Sequence, residues 1–150
     1  MFSVEAAPVE DAFGRPLKSL RLSVTDRCNL RCNYCMPEAS YAWLPKKELF
    51  DFDEIVRMVK LFSRAGVDRL RITGGEPLLR RDLPKLVRRL RCDVPALREI
   101  ALTTNGILLD QFARPLREAG LDRITVSLDT LDPVRFQALS RRDEHGRVLR

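Results

Sequence analysis

The sequence predicts an α/β fold, about four βα units forming part of a TIM-like barrel that does not close within this chain. Strand-like and helix-like stretches alternate from residue 17 onward, the order that gives a parallel sheet with right-handed crossovers. Ala65-Gly66-Val67-Asp68-Arg69-Leu70 is echoed by Ala119-Gly120-Leu121-Asp122-Arg123-Ile124; both read as helix stop, short loop and strand start. The strands alternate apolar and polar residues, whereas parallel strands covered on both faces read as continuous apolar runs. One face therefore packs on helices while the other is wet. An open sheet with one solvated face is one way to arrange this; an arc lining a polar, ligand-filled lumen fits better.

Residues 1–16 read as a loose N-terminal arm, with Pro8, Gly14 and Pro16 as breakers, and 17–150 as the start of a core domain. Leu20 to Val24 forms the first strand, with Leu20, Leu22 and Val24 opposite Arg21 and Ser23. In the helix that follows, Ile55, Met58, Val59 and Phe62 share a face, Asp51 and Glu54 are spaced as a capping pair, and Gly66 is the stop. Leu70 to Thr73 is the second strand, where Leu70 and Ile72 oppose Arg69, Arg71 and Thr73. Asp82 caps the next helix, which buries Leu83, Leu86, Val87 and Leu90.

Ile100 to Thr104 is the third strand, with Ile100 and Leu102 opposite Ala101 and Thr103, and Asn105-Gly106 ends it. Residues 110–119 make a third helix. Pro115 inside it implies a kink or a late start, because an interior proline costs roughly 3 kcal/mol. Ile124 to Leu128 is the fourth strand, where Ile124, Val126 and Leu128 oppose Thr125, Ser127 and Asp129, and Asp132 opens a fourth helix. Four strands ending in helical sequence read as the first part of a longer protein.

With 150 residues, 45% of them hydrophobic, the chain suffices for one ordinary domain. Its formal charge of +6 rests almost wholly on arginine. A basic balance serves nucleic acid, a membrane surface or a small anion, but these arginines are spread out and not interleaved with aromatics, which argues against nucleic acid. The start lacks a signal-peptide pattern and no stretch is long and apolar enough to span a membrane; a cytoplasmic protein is expected. Four cysteines there do not imply structural disulfides. Three of them, Cys28, Cys32 and Cys35, fall within eight residues, which points to metal or redox chemistry.

The cysteines stand in Thr25-Asp26-Arg27-Cys28-Asn29-Leu30-Arg31-Cys32-Asn33-Tyr34-Cys35-Met36-Pro37, at the C-terminal end of the first strand, where parallel α/β folds bind ligands. A structural zinc site takes four protein ligands, usually in two short pairs. Three thiolates on one loop suit a cubane iron–sulfur cluster with one iron left open; on spacing alone, zinc or coincidence stays open. Cys92 reads as a buried small hydrophobe, and His145, the only histidine, as a surface residue.

Thr73-Gly74-Gly75-Glu76-Pro77 ends the second strand. Its glycines let backbone approach a ligand closely, and Glu76 offers an acceptor suited to an ammonium. Thr103-Thr104-Asn105-Gly106 and Ser127-Leu128-Asp129 put hydroxyl, amide and carboxylate groups on the same rim. Singly these are ordinary turn residues; polar groups on four consecutive strand ends imply one site.

These residues resemble the radical S-adenosylmethionine enzymes and, more narrowly, the GTP 3′,8-cyclases of molybdenum cofactor biosynthesis. The resemblance runs from Pro16 to about Arg147. It is carried by Leu20-Arg21-Leu22-Ser23-Val24-Thr25-Asp26-Arg27-Cys28, the Cys35-Met36-Pro37 after the third cysteine, Trp43-Leu44-Pro45, Arg71-Ile72-Thr73-Gly74-Gly75-Glu76-Pro77-Leu78-Leu79-Arg80 and Leu102-Thr103-Thr104-Asn105-Gly106. It implies the partial barrel of the radical S-adenosylmethionine core domain, with Cys28, Cys32 and Cys35 on a [4Fe-4S] cluster whose open iron chelates S-adenosylmethionine. It implies further that Tyr34, Gly75 and Ser127 contact S-adenosylmethionine, along with Gly74 and Glu76 of the glycine motif, and that Arg21, Arg71 and Thr103 contact GTP.

The activity implied is abstraction of hydrogen from C3′ of GTP by a 5′-deoxyadenosyl radical, followed by attack on C8 to give a 3′,8-cyclised nucleotide. An electron donor and the next-step enzyme, cyclic pyranopterin monophosphate synthase, would be partners, and a homodimer is compatible. A second cluster is expected only in a C-terminal part beyond these residues, so this chain alone is expected to be inactive. A peptide-modifying radical enzyme and a basic zinc module for nucleic acid are the rival readings.

Overall fold

The computed structural model describes residues 9–150. Four strands, β1 (Ser19–Ser23), β2 (Arg69–Thr73), β3 (Glu99–Thr104) and β4 (Arg123–Val126), form one parallel sheet in the order β1-β2-β3-β4. Between them run α1 (Phe52–Arg64), α2 (Leu83–Asp93) and α3 (Leu109–Glu118); α4 (Pro133–Ser140) and a short α5 (His145–Val148) follow β4. The sheet is open, and α1, α2 and α3 all pack on its apolar face, the singly wound arrangement of a barrel segment rather than the two-faced cover of a doubly wound sheet.

Register explains why alternation survives in a parallel sheet. Leu22, Ile72, Leu102 and Ile124 pair side by side across all four strands, as do Leu20, Leu70 and Ile100 one layer down. These rows meet Ile55, Val56 and Val59 of α1, Leu83, Leu86, Val87 and Leu90 of α2 and Leu116 of α3 in one core. The pleat sends Arg21, Arg71 and Ala101, in register with Arg123, to the opposite face.

Asp51 and Glu54 form the expected capping box: Asp51 Oδ1 accepts from Glu54 N at 2.8 Å, and Glu54 Oε2 accepts from Asp51 N at 2.8 Å. The echoed helix stops hold too, because Gly66 and Gly120 take φ of 111° and 97°, open to glycine at little cost. Residues 9–17 are tied down rather than loose: Val9 N donates to Ala65 O and Leu17 N to Val9 O. The rest of the expected arm, residues 1–8, lies outside the described residues.

Several expectations need correction. Asp82 stands at the N-cap of α2 in a left-handed conformation, φ 60°, with no side-chain capping bond; its carboxylate pairs with Lys85 at 3.0 Å instead. α3 runs from Leu109 through Pro115, so it does not start late. Phe62 sits at the margin of α1's buried face, and Val56 takes the place inside. Cys92 is exposed near the end of α2. His145 is buried, with its ring edge against Phe136 at 5.5 Å between centroids, because α5 folds back onto α4. No helix of the described residues is long and apolar enough to cross a membrane.

Candidate functional site

The cysteine loop leaves β1 beside β2: Val24 N donates to Thr73 O at 3.0 Å, Gly75 N to Thr25 O at 2.8 Å and Glu76 N to Arg27 O at 2.7 Å. This pairing gives the glycines their reason. A Cβ on Gly74 would lie 2.5 Å from Thr25 O, and one on Gly75 would lie 2.5 Å from Asp26 O, closer than real contacts allow. The glycines admit the cysteine loop's own backbone, and Gly74 and Gly75 line the cavity beyond it.

Within the loop, Cys35 N and Met36 N both donate to Cys32 O, at 3.0 and 2.7 Å, which turns Cys35 back beside Cys32. Arg31 N and Asn33 N donate to Ser140 O and Leu139 O, each at 2.9 Å, so the end of α4 braces the loop. Leu30 is buried in a small second core with Ile107 and Phe136, against which Cys28 and Cys32 pack. The outer edge is clasped by the segment before α1. Leu44 N donates to Asp26 Oδ2 at 2.7 Å; Arg31 donates to Cys28 O and Leu30 O, both at 2.7 Å, and its guanidinium lies 5.3 Å from the Trp43 ring centroid.

Cys28, Cys32 and Cys35 line one cavity of about 360 Å³, together with Arg21, Tyr34, Gly74, Gly75, Thr103, Ser127 and Asp129. Burial pushes the Cys28 and Cys32 thiols above their ordinary range, while the Leu30 N–H donated to Cys28 Sγ at 3.4 Å pulls the other way. Tyr34 donates to Asp129 Oδ2 at 2.6 Å, a bond that holds its phenol well above the usual value and ties the cysteine loop to the end of β4. Asn105, at the end of β3, donates through Nδ2 to Asn29 Oδ1 at 2.7 Å.

Arg71 reaches across the polar face, and its Nη1 donates to Thr103 Oγ1 at 3.1 Å and Thr125 Oγ1 at 3.3 Å. Arg21 and Thr103 line the cysteine cavity, whereas Arg71 lines a second cavity of about 510 Å³ lower on the same face. Thr125 is not singled out as a contact by the sequence; its place on the polar side of the fourth strand's alternation is the available signal, and the structure sets it in register with Thr103.

Glu76 corrects the sequence reading. It is 1% exposed and does not line the cavity. Its Oε1 accepts from Leu78 N at 3.0 Å and Thr104 Oγ1 at 2.7 Å, and its Oε2 from Asn105 N at 2.8 Å. The carboxylate ties the ends of β2 and β3 together behind the rim and is not presented to an ammonium in the cavity. Burial, its largest influence, pushes it above the ordinary carboxylate range against these three donors.

The donor set can be tested against a metal group. A structural zinc site takes four protein ligands, whereas this cavity is lined by three cysteines, with Cys92 far off on α2. Three unpaired thiols arrayed round one cavity fit a multi-iron group, whose thiolates bind separate irons. A bound cation also reverses the burial penalty on a thiolate. The residues fit.

A parallel barrel segment with three cysteines opening its first strand end defines a class, and the chain belongs to it: the Radical SAM superfamily, whose sequence profile matches residues 22–150. Membership implies an iron–sulfur cluster and S-adenosylmethionine as cofactors.

Among its relatives, the GTP 3′,8-cyclase of Acidothermus cellulolyticus is 56% identical over 140 residues, covering 91% of this chain and 38% of that protein. GTP 3′,8-cyclase 3 of Mycobacterium bovis is 50% identical, covering 97% of this chain and 39% of that protein. GTP 3′,8-cyclase of Staphylococcus saprophyticus is 51% identical, covering 90% and 41%. The chain thus spans about two fifths of the length of these curated relatives. SuiB of Streptococcus suis, solved bound to precursor peptide SuiA, shares the fold with a TM-score of 0.60 at 24% identity, over 81% of this chain and 26% of that one.

Proposed function

We propose that this chain is the N-terminal part of a GTP 3′,8-cyclase acting in the cytoplasm, with residues 17–150 opening its radical S-adenosylmethionine core domain. Cys28, Cys32 and Cys35 hold a [4Fe-4S] cluster; Tyr34, Gly74, Gly75 and Ser127 receive S-adenosylmethionine; Arg21, Arg71 and Thr103 receive GTP. When bound, the cluster and S-adenosylmethionine would supply radical chemistry directed at C3′ of GTP. The cyclised product then passes to the next enzyme of molybdenum cofactor synthesis.

What supports GTP in particular is a pair of arginines. Arg21 and Arg71 lie opposite each other in register on the polar face. Neither has a carboxylate partner among the described residues, whereas Arg123 in the same row is neutralised by Glu99 at 2.8 Å. Two adjacent guanidiniums repel unless an anion joins them, and their forked donors match phosphate oxygens. Thr103 and Thr125 accept from Arg71 without neutralising it, which aims the cation while leaving its charge for a ligand.

Anaerobic reconstitution with iron and sulfide, followed by assay of 5′-deoxyadenosine release on reduction with and without GTP, tests the reading. The expected result is a brown, iron-loaded protein that does not cyclise GTP by itself, because the second cluster lies beyond these residues. A colourless, zinc-loaded protein would overturn the cysteine assignment; cyclised nucleotide from this chain alone would overturn the division of labour.

A further inference from the structure

The cysteine loop has two sides. Its cysteines line the inner cavity, while Thr25 and Arg27, three residues and one residue before Cys28, line a separate groove of about 700 Å³ on the outer side. Lys46, Arg80 and Arg81 complete a basic lining with Arg27, and Phe52 forms part of the wall. Of the groove's three acids, Asp53 pairs with Arg89 at 2.6 Å and Asp82 with Lys85 at 3.0 Å, while Asp51 caps α1 through a backbone N–H and keeps its charge. Arg80 is locked, donating to Phe50 O at 2.7 Å with its guanidinium 5.4 Å from the Phe52 ring centroid. Arg27, Lys46 and Arg81 have no carboxylate partner among the described residues. Four basic side chains against one unpaired carboxylate leave the groove net positive, with Arg27 one residue, about 3.8 Å of backbone, from the first cysteine.

We propose that this groove docks the acidic face of a one-electron carrier protein. The inference rests on the functional reading above, which needs one electron from outside the chain while substrate and cofactor occupy the inner cavity. The outer groove lies on the other side of the same loop, and its charge complements an acidic partner, steering encounter. The carrier loses one electron and the group held by Cys28, Cys32 and Cys35 gains it; no bond or proton changes hands.

Calorimetric titration of the chain with an oxidised acidic flavodoxin tests the docking and needs no metal. Each of Arg27→Glu, Lys46→Glu and Arg81→Glu is expected to raise Kd several-fold at low salt, and the three together more than tenfold. Lys60→Glu, an exposed residue two turns along α1, is expected to leave Kd unchanged, and the difference is expected to fade as salt screens the charges.

In the iron-loaded chain, reduction by reduced flavodoxin, followed as loss of visible absorbance, should slow more than tenfold in the triple variant. Reduction by the small cation methyl viologen radical should not slow. Equal affinity of the triple variant and the parent, or an equal loss with Lys60→Glu, overturns the proposal. Salt-dependent docking by a chain that takes up no iron would sustain the groove and sink the cysteine assignment, so the two readings fail separately.

Discussion

The two faces of this sheet share one backbone register and carry opposite obligations. On one face Leu22, Ile72, Leu102 and Ile124 line up across four strands, and on the other Arg21, Arg71, Ala101 and Arg123 do the same one residue earlier. The apolar row is satisfied within the chain, sealed by three helices. The polar row is not, since Arg21 and Arg71 find threonine hydroxyls or nothing where Arg123 finds Glu99. A row complete in itself specifies the fold. A row left with unmatched charge specifies what must arrive.

The sharpest way to break this division is to cut the apolar row. Leu102 is fully buried, and Leu102→Ala is expected to cost about 2–5 kcal/mol of stability by lost transfer energy and cavity formation, read from urea unfolding midpoints. A loss below about 1 kcal/mol would mean that the sheet face is not the core described.

Glu76 sharpens the comparison because it is a charge placed on the buried side. Its folded-state pKa is raised, so over the window between the unfolded and folded values the native chain keeps a proton that the unfolded chain has released. Acidification through that window therefore stabilises the fold relative to Glu76→Gln, which has no such proton, with a slope of at most about 1.4 kcal/mol per pH unit. Paired urea titrations of parent and variant from neutral to mildly acidic pH measure it. An opposite slope would show that its three donors outweigh burial.

The smallest effect on stability is expected on the polar row. Arg71→Leu should shift unfolding by no more than about 0.5 kcal/mol, while lowering binding of a nucleoside triphosphate at least tenfold by calorimetry. If stability falls as far as with Leu102→Ala, the two faces are not divided as argued.

How much of this the sequence disclosed depends on the range of the cause. Cys28, Cys32 and Cys35 stand on one short loop, the Asp51–Glu54 cap spans one helical turn, and the strand alternation repeats every second residue; each is a local pattern, readable by eye. The place of Glu76 is hidden in the sequence because its partners, Thr104 and Asn105, lie 28 and 29 residues away, and no spacing announces that β2 and β3 end side by side. The burial of His145 is hidden for the same reason, depending on α5 returning to Phe136. The grip of α4's end on the cysteine loop, through Ser140 and Leu139 carbonyls, is pure tertiary structure. Backbone acceptors leave no mark in composition.

Trp43, stacked beside Tyr41 at 5.7 Å and lying against the arginine that holds the Cys28 carbonyl, is the sole indole of the chain. Its emission therefore comes from one place, next to the loop where a coloured iron–sulfur group would sit, and such a chromophore drains excited-state energy from a neighbouring ring. Filling of the cysteine cavity becomes an optical event, visible as dimming of native fluorescence without any label. The chain carries its own gauge of metallation.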